Sequence, residues 1–165
     1  MQPRNIIRNR EIVADNFIYV TDAAQLPASG DIIVDLPVWK EHRAQLLNHT
    51  GKLGVQIPGD AEPEEIVDDL ARLDVVAIHF PVFRDGRGYS LARILRERFG
   101  FDGELRATGD VLRDQLFYLQ RCGFNAFDVR EDRCISVALT GLSDFTVTYQ
   151  ADVHEKRPIY HRRPG

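Results

Sequence analysis

The sequence predicts an α/β fold in which about five βα units build a parallel sheet, either an open doubly wound sheet or an incomplete TIM-like barrel, behind an N-terminal β-hairpin. Three observations carry this. Short β-branched runs alternate regularly with amphipathic stretches from Asp31 onward. One of those runs, Val75-Val76-Ala77-Ile78-His79-Phe80, is almost continuously apolar, as a central parallel strand covered on both faces should be. The first thirty residues lack this rhythm and carry only short β-type runs.

Taken in order, Ile6-Ile7, Ile12-Val13 and Phe17-Ile18-Tyr19-Val20 are separated by Asn9, Asp15 and Asn16, which gives a hairpin or meander over 1–30. Leu26-Pro27-Ala28-Ser29-Gly30 then breaks the chain. Ile32-Ile33-Val34 is the first strand of the repeating part, followed by a helix from Pro37 to Asn48. Leu53 to Ile57 is the next strand, ended by Pro58-Gly59. A helix is expected from Pro63, with Glu64 and Glu65 at its positive end and a stripe of Ile66, Val67, Leu70 and Leu73. After the Val75–Phe80 strand, Ser90 can cap a helix striped by Leu91, Ile94, Leu95 and Phe99 and stopped by Gly100. The fourth strand runs from Glu104 to Thr108. Asp110 can cap the helix after it, whose stripe is Leu112, Leu116 and Leu119 and whose stop is Gly123. Ala126 to Val129 is the fifth strand, with a helix over 131–142. The βα units thus occupy 31–145, and 146–165 is an irregular basic tail with Arg157, Arg162 and Arg163.

A length of 165 residues makes this one α/β domain, too short for a complete eight-unit barrel. Lys and Arg number 21 against 25 Asp and Glu, a net charge of -4 that argues against nucleic acid as a partner. No apolar run is long enough to span a bilayer, and no secretory h-region follows Met1, so a cytoplasmic protein is expected. Cys122 and Cys134 are too few for a disulfide framework or a four-thiolate metal site.

In parallel α/β architectures ligands meet the C-terminal ends of the strands. That rule selects the loop Pro81 to Ser90, where Arg84, Asp85, Gly86, Arg87, Gly88, Tyr89 and Ser90 place two guanidinium groups and two glycines ahead of a helix. Such a loop can hold a small anion; alternatively, Asp85-Gly86 is a tight turn and the arginines pair with neighbouring acids. The next loop puts Asp110 and Arg113 beside it, Arg113 against the helix dipole unless an anion or a carboxylate such as Asp114 offsets it. Strand alternation sets Val75, Ala77 and His79 on one face, and Glu104, Arg106 and Thr108 on one face of the following strand. Polar residues there suit a barrel-like interior better than a flat sheet covered on both sides. The candidate anion ligands are therefore Arg84, Arg87, Arg106 and Arg113, and the candidate proton carriers His79 and Asp110. His79 could equally be a hydrogen-bonded core residue. His42 and His49 read as surface residues, His154 and His161 as tail residues, and Cys122 and Trp39 as core. No metal set and no cofactor motif appears, Gly-x-Gly-x-x-Gly included.

The strings Phe80-Pro81-Val82-Phe83-Arg84-Asp85-Gly86-Arg87-Gly88-Tyr89-Ser90, Gly103-Glu104-Leu105-Arg106-Ala107, Gly109-Asp110-Val111-Leu112-Arg113-Asp114-Gln115 and Arg121-Cys122-Gly123-Phe124 closely resemble an uncharacterised bacterial family. That family is a domain of unknown function labelled an oxidoreductase of sulfite reduction. The resemblance implies a place in assimilatory sulfite or sulfate reduction, with sulfite reductase or another protein of that pathway as partner. It brings no catalytic residues. Two cysteines cannot ligate an iron–sulfur cluster within one chain, so an accessory protein recognising the anion or the reductase fits better than a self-sufficient redox enzyme. The alternative is a small enzyme acting on an anionic metabolite at the strand ends. A third possibility is an interaction module or homodimer that covers its sheet edges.

Overall fold

Alternation along the strands decides how this chain folds. In a computed structural model describing residues 4–81, 86–129, 135–140 and 142, the strands are β1 (Arg4–Arg8), β2 (Glu11–Asp15), β3 (Ile18–Val20), β4 (Ile32–Asp35), β5 (Leu53–Pro58), β6 (Val75–Phe80), β7 (Glu104–Gly109) and β8 (Ala126–Phe127). They form one sheet in the order β2-β1-β8-β7-β6-β5-β4-β3. The helices are α1 (Leu36–Leu47), α2 (Arg87–Arg93), α3 (Arg113–Cys122) and α4 (Ile135–Thr140).

The sheet is mixed, which corrects the expectation of a wholly parallel one. The run β3-β4-β5-β6-β7-β8 is parallel, but β1 lies antiparallel to both β8 and β2. The N-terminal strands are therefore part of the sheet. Asn9 and Arg10, both at positive φ (52° and 67°), turn the chain between β1 and β2. Directly after β2 the chain crosses to the far edge of the sheet. Asn16 and Phe17 alone separate β2, which pairs with β1, from β3, which pairs with β4. Two linking residues span at most about 11 Å, whereas the edges of a flat eight-stranded sheet would stand about 34 Å apart. The sheet is consequently curled into an open half-barrel.

The convex face carries the main core. Ile32 and Val34, Val55 and Ile57, Val76, Ile78 and Phe80, and Leu105 and Ala107 alternate outward onto Trp39 and Leu46 of α1, Leu91 of α2 and Leu116 and Leu119 of α3. Each such aliphatic side chain, once enclosed, stabilises the fold by about 1.5–3 kcal/mol. Because the helices among the described residues pack on this one face, the doubly wound alternative does not hold. The half-barrel outline does, without establishing a TIM-like kinship.

Several helix boundaries differ from expectation. The segment after β5 forms two 3-10 turns, Pro63–Glu65 and Val67–Arg72, in place of an α-helix. Pro63, Ile66 and Asp69 are buried at every third residue, the 3-10 period, with Leu70 and Leu73 buried beside them, and Asp69 is held by Arg43 and Trp39. Ser90 lies inside α2, which starts at Arg87 after Gly86. Asp110 does not cap α3; Leu112 stands at that position, with the Gln115 side chain accepting from its N–H at 3.2 Å. Gly123 does stop α3, at φ +120°. The strand expected over Ala126–Val129 is confined to Ala126–Phe127. The helix expected over 131–142 is described only as Ile135–Thr140, and the tail 146–165 lies outside the described residues.

Candidate functional site

The concave face is built by the alternate residues of the same strands, and it is polar where the convex face is apolar. Its floor is tight. A Cβ on Gly54 would come within 2.9 Å of Val75 and 3.0 Å of Ile33, so only glycine fits between them. Phe17 and Tyr19, from the segment joining the two edges, pack over Ile33, Val75 and Ala77.

Arg106 lies at the middle of this face, fully buried. Its Nη1 donates to Asp15 at 3.0 Å and to the Tyr19 hydroxyl at 2.9 Å, its Nε donates to Glu104 at 2.7 Å, and its guanidinium stands 5.2 Å from the centre of the Phe17 ring. Burial by itself would push the Arg106 pKa down, but the surrounding Tyr19, Glu104 and Asp15 reverse this and hold it above its ordinary value. Burial in turn pushes the Tyr19 phenol up to about 12, so the neutral Tyr19 leaves Glu104 and Asp15 to balance the charge. Arg8 also binds Glu104, and Arg4 pairs with Asp128 at 2.9 Å, so β1 and β2 are tied to β7 and β8 by ionic contacts as well as by the ladder.

Nearer the C-terminal ends of β4 to β7, the concave face carries the polar residues Asp35, Gln56, His79 and Thr108, with Pro58 beside His79 at the end of β5. Gln56 Nε2 donates to Asp35 Oδ1 at 3.3 Å, Thr108 Oγ1 donates to Gln56 Oε1 at 3.0 Å, and His79 Nδ1 lies 3.2 Å from Thr108 Oγ1. Asp35 immediately precedes α1, yet its side chain makes no capping bond to that helix and serves Gln56 instead. This series ends in an open cleft of about 380 Å³ lined by His79, Phe80, Pro81, Gly109 and Asp110. Gly109 is required here. Its φ is +89°, and a Cβ would fall 2.2 Å from the Phe80 carbonyl oxygen and 2.8 Å from His79 Cε1. The bare backbone lets Asp110 N–H reach the same carbonyl at 2.7 Å and brings the end of β7 against the imidazole.

The residues singled out from sequence divide three ways. His79 and Asp110 share the cleft. Arg106 is on the same face as His79 and Thr108, as alternation implies, but it is enclosed with carboxylates below the cleft and is not among the residues lining it. The flanking loop contributes elsewhere: Arg87 is exposed and donates to Asp60 at 3.4 Å, Gly86 and Ser90 are exposed, and Gly88 is buried against the Phe80 ring. Tyr89 stacks between Phe80 and Tyr118, at centroid distances of 5.4 and 5.1 Å. Arg84, Asp85 and the side chain of Arg113 lie outside the described residues, as do Cys134, His154 and His161. Trp39 is core, with Nε1 donating to Asp69 at 3.3 Å, and Cys122 is buried, which pushes its thiol up. His42 and His49 are both partly exposed, and His49 Nε2 lies 2.7 Å from the Gly30 carbonyl oxygen.

Sequence reasoning missed Asp35 and Gln56. The signal was present: Ile33/Asp35, Gly54/Gln56, Ala77/His79 and Arg106/Thr108 repeat a polar residue late on the inward face of four neighbouring strands, with Pro58 alone following Gln56 on β5.

A sequence model described as "Bacterial protein of unknown function (DUF934)" matches residues 54–160, more than half of the chain. The chain belongs to this family. The matched region begins in β5 and takes in both walls of the cleft, while β1 to β4, with Asp15, Tyr19 and Asp35, precede it. No curated protein matches the chain. Among the described residues no helix is long and apolar enough to cross a membrane.

Proposed function

We propose that this protein is an accessory factor of assimilatory sulfite and sulfate reduction that recognises a small anion at the C-terminal ends of β6 and β7, with sulfite reductase or another protein of that pathway as its partner. One observation carries the reading. The cleft is lined by His79, Phe80, Pro81, Gly109 and Asp110, and these residues belong to the stretch from His79 to Phe127 in which the resemblance to the sulfite-reduction family is strongest. The sequence also places Arg84 three residues beyond Pro81 and Arg113 three beyond Asp110, so both are candidates to supply positive charge at the rim. A volume of about 380 Å³ suits a small ligand.

The test has a genetic and a physical half. Cells lacking the protein should grow normally on cysteine and poorly on sulfate; equal growth on both removes the pathway assignment. Sulfite added to the purified protein should raise Tm, as any ligand of the native state does, and His79→Ala should abolish the rise. An unchanged rise in His79→Ala places the anion elsewhere.

A second reading is favoured by the hydrogen-bonded series that ends on His79: a small enzyme in which His79 or Asp110 moves a proton on an anionic metabolite. Turnover of a weak-acid substrate that disappears in His79→Ala would select this reading over the accessory role.

A further inference from the structure

We infer that Asp35, Gln56 and Thr108 are positioning residues that fix His79 as its Nδ1–H tautomer, so that Nε2 is the proton-accepting nitrogen at the cleft and selects oxyanions that still carry an acidic proton. The inference deepens the anion-site reading of the cleft and rests on it for the identity of the ligand. The argument is one of donor and acceptor supply. A carboxylate only accepts, so the Gln56 amide must turn its NH2 toward Asp35. Gln56 Oε1, now facing Thr108, can likewise only accept, and it takes the single hydroxyl proton of Thr108. Thr108 Oγ1 is left with lone pairs alone. The contact of 3.2 Å to His79 Nδ1 is therefore a bond only if Nδ1 carries the hydrogen.

Free imidazole side chains favour the other tautomer, so this arrangement works against the ring's own preference. Nε2 makes no hydrogen bond among the described residues, and the ring lines the cleft. A neutral His79 then offers a lone pair. A ligand oxygen with no proton meets lone pair against lone pair, whereas a protonated oxyanion donates into it. Glycine at 109 leaves the imidazole its place, since a Cβ there would fall 2.8 Å from Cε1.

The experiment reads the tautomer directly, by long-range nitrogen–proton NMR correlation on the full chain with the ring neutral, at about pH 8.5. The parent protein should show Nδ1–H at His79. Thr108→Ser, which keeps the hydroxyl, should preserve it. Thr108→Val and Gln56→Leu should release the ring toward Nε2–H. An Nε2–H ring in the parent, or a tautomer unmoved by Thr108→Val in a protein whose remaining spectrum is unchanged, overturns the inference. Hydrogen phosphate and sulfate are then titrated separately; at this pH both are tetrahedral dianions, and they differ by one O–H. Hydrogen phosphate should bind about tenfold or more tightly, judged by the His79 resonances. Equal or tighter binding of sulfate overturns the ligand selectivity. Loss of every anion response beside a confirmed tautomer instead removes the anion-site reading, so the two failures are told apart.

Discussion

The two faces of one sheet solve different problems. On the convex face, nearly every side chain beneath the helices is aliphatic or aromatic, and many partial substitutes of similar volume would serve. On the concave face, Arg106, Asp15, Glu104 and Tyr19 are held by directed bonds from strands far apart in sequence, and each has specific partners to lose. The difference teaches that apolar burial supplies most of the stability, while the buried ions decide that the edge-to-edge segment 11–20 seats in one register across a curled sheet. A one-residue slip of β2 would replace Asp15 with a residue of opposite facing and leave Arg106 facing one carboxylate fewer.

The comparison can be broken most forcefully at Arg106. Arg106→Met should cost about 3–5 kcal/mol in urea unfolding, because Asp15 and Glu104 would remain enclosed without their cation. The adjacent convex position provides the matched control: Leu105→Ala should cost about 2–5 kcal/mol by creating a cavity. Adding Asp15→Asn to Arg106→Met should recover part of the first loss and none of the second. If it recovers nothing, the concave ions are not coupled and the contrast between the faces fails.

A smaller effect sharpens it. Tyr19→Phe keeps the ring that packs over Ala77 and removes one bond to a charged donor, which should cost about 1.5–3 kcal/mol. The high pKa of Tyr19 leaves this contribution constant through neutral and mildly alkaline pH, so the stability difference between parent and variant should stay flat there.

The smallest effect lies on the helix-covered side, at the one buried carboxylate named there, Asp69. Hydrogen bonds from Arg43 hold its pKa below the ordinary carboxylate value, against the opposing effect of burial. A depressed folded-state pKa means stability that is fully present above the unfolded-state value and lost as pH falls through the folded one. Asp69→Asn should therefore flatten the acid limb of the stability curve while leaving its neutral part less affected. An identical acid limb in the variant would show that Asp69 does not set it.

Much of this was legible in the chain. The repeating part was readable because each β-branched run is followed by an amphipathic stretch, so β4 to β8 and α1 to α3 fall near where periodicity places them. Alternation on β6 and β7 was enough to put His79, Arg106 and Thr108 on one face. Other features were not readable. The stretch after Pro63 satisfies both a 3.6 and a 3.0 period, and the 3-10 turns that form place Asp69 against Arg43 and Trp39.

What the sequence determined by itself was local: which segments are strands, which face of each is polar, and that glycine stands at 54, 109 and 123. What only the tertiary structure decided was which segments meet. The insertion of β1 between β2 and β8, the crossing from one sheet edge to the other through Asn16 and Phe17, and the enclosure of Arg106 away from the cleft all depend on contacts between residues up to 125 positions apart. Hydrogen bonding and charge burial act over a few ångströms of space and take no account of separation along the chain. A sequence pattern can mark Asp35, Gln56, His79 and Thr108 as polar and inward, but the direction of their shared protons follows only once the curled sheet sets them side by side.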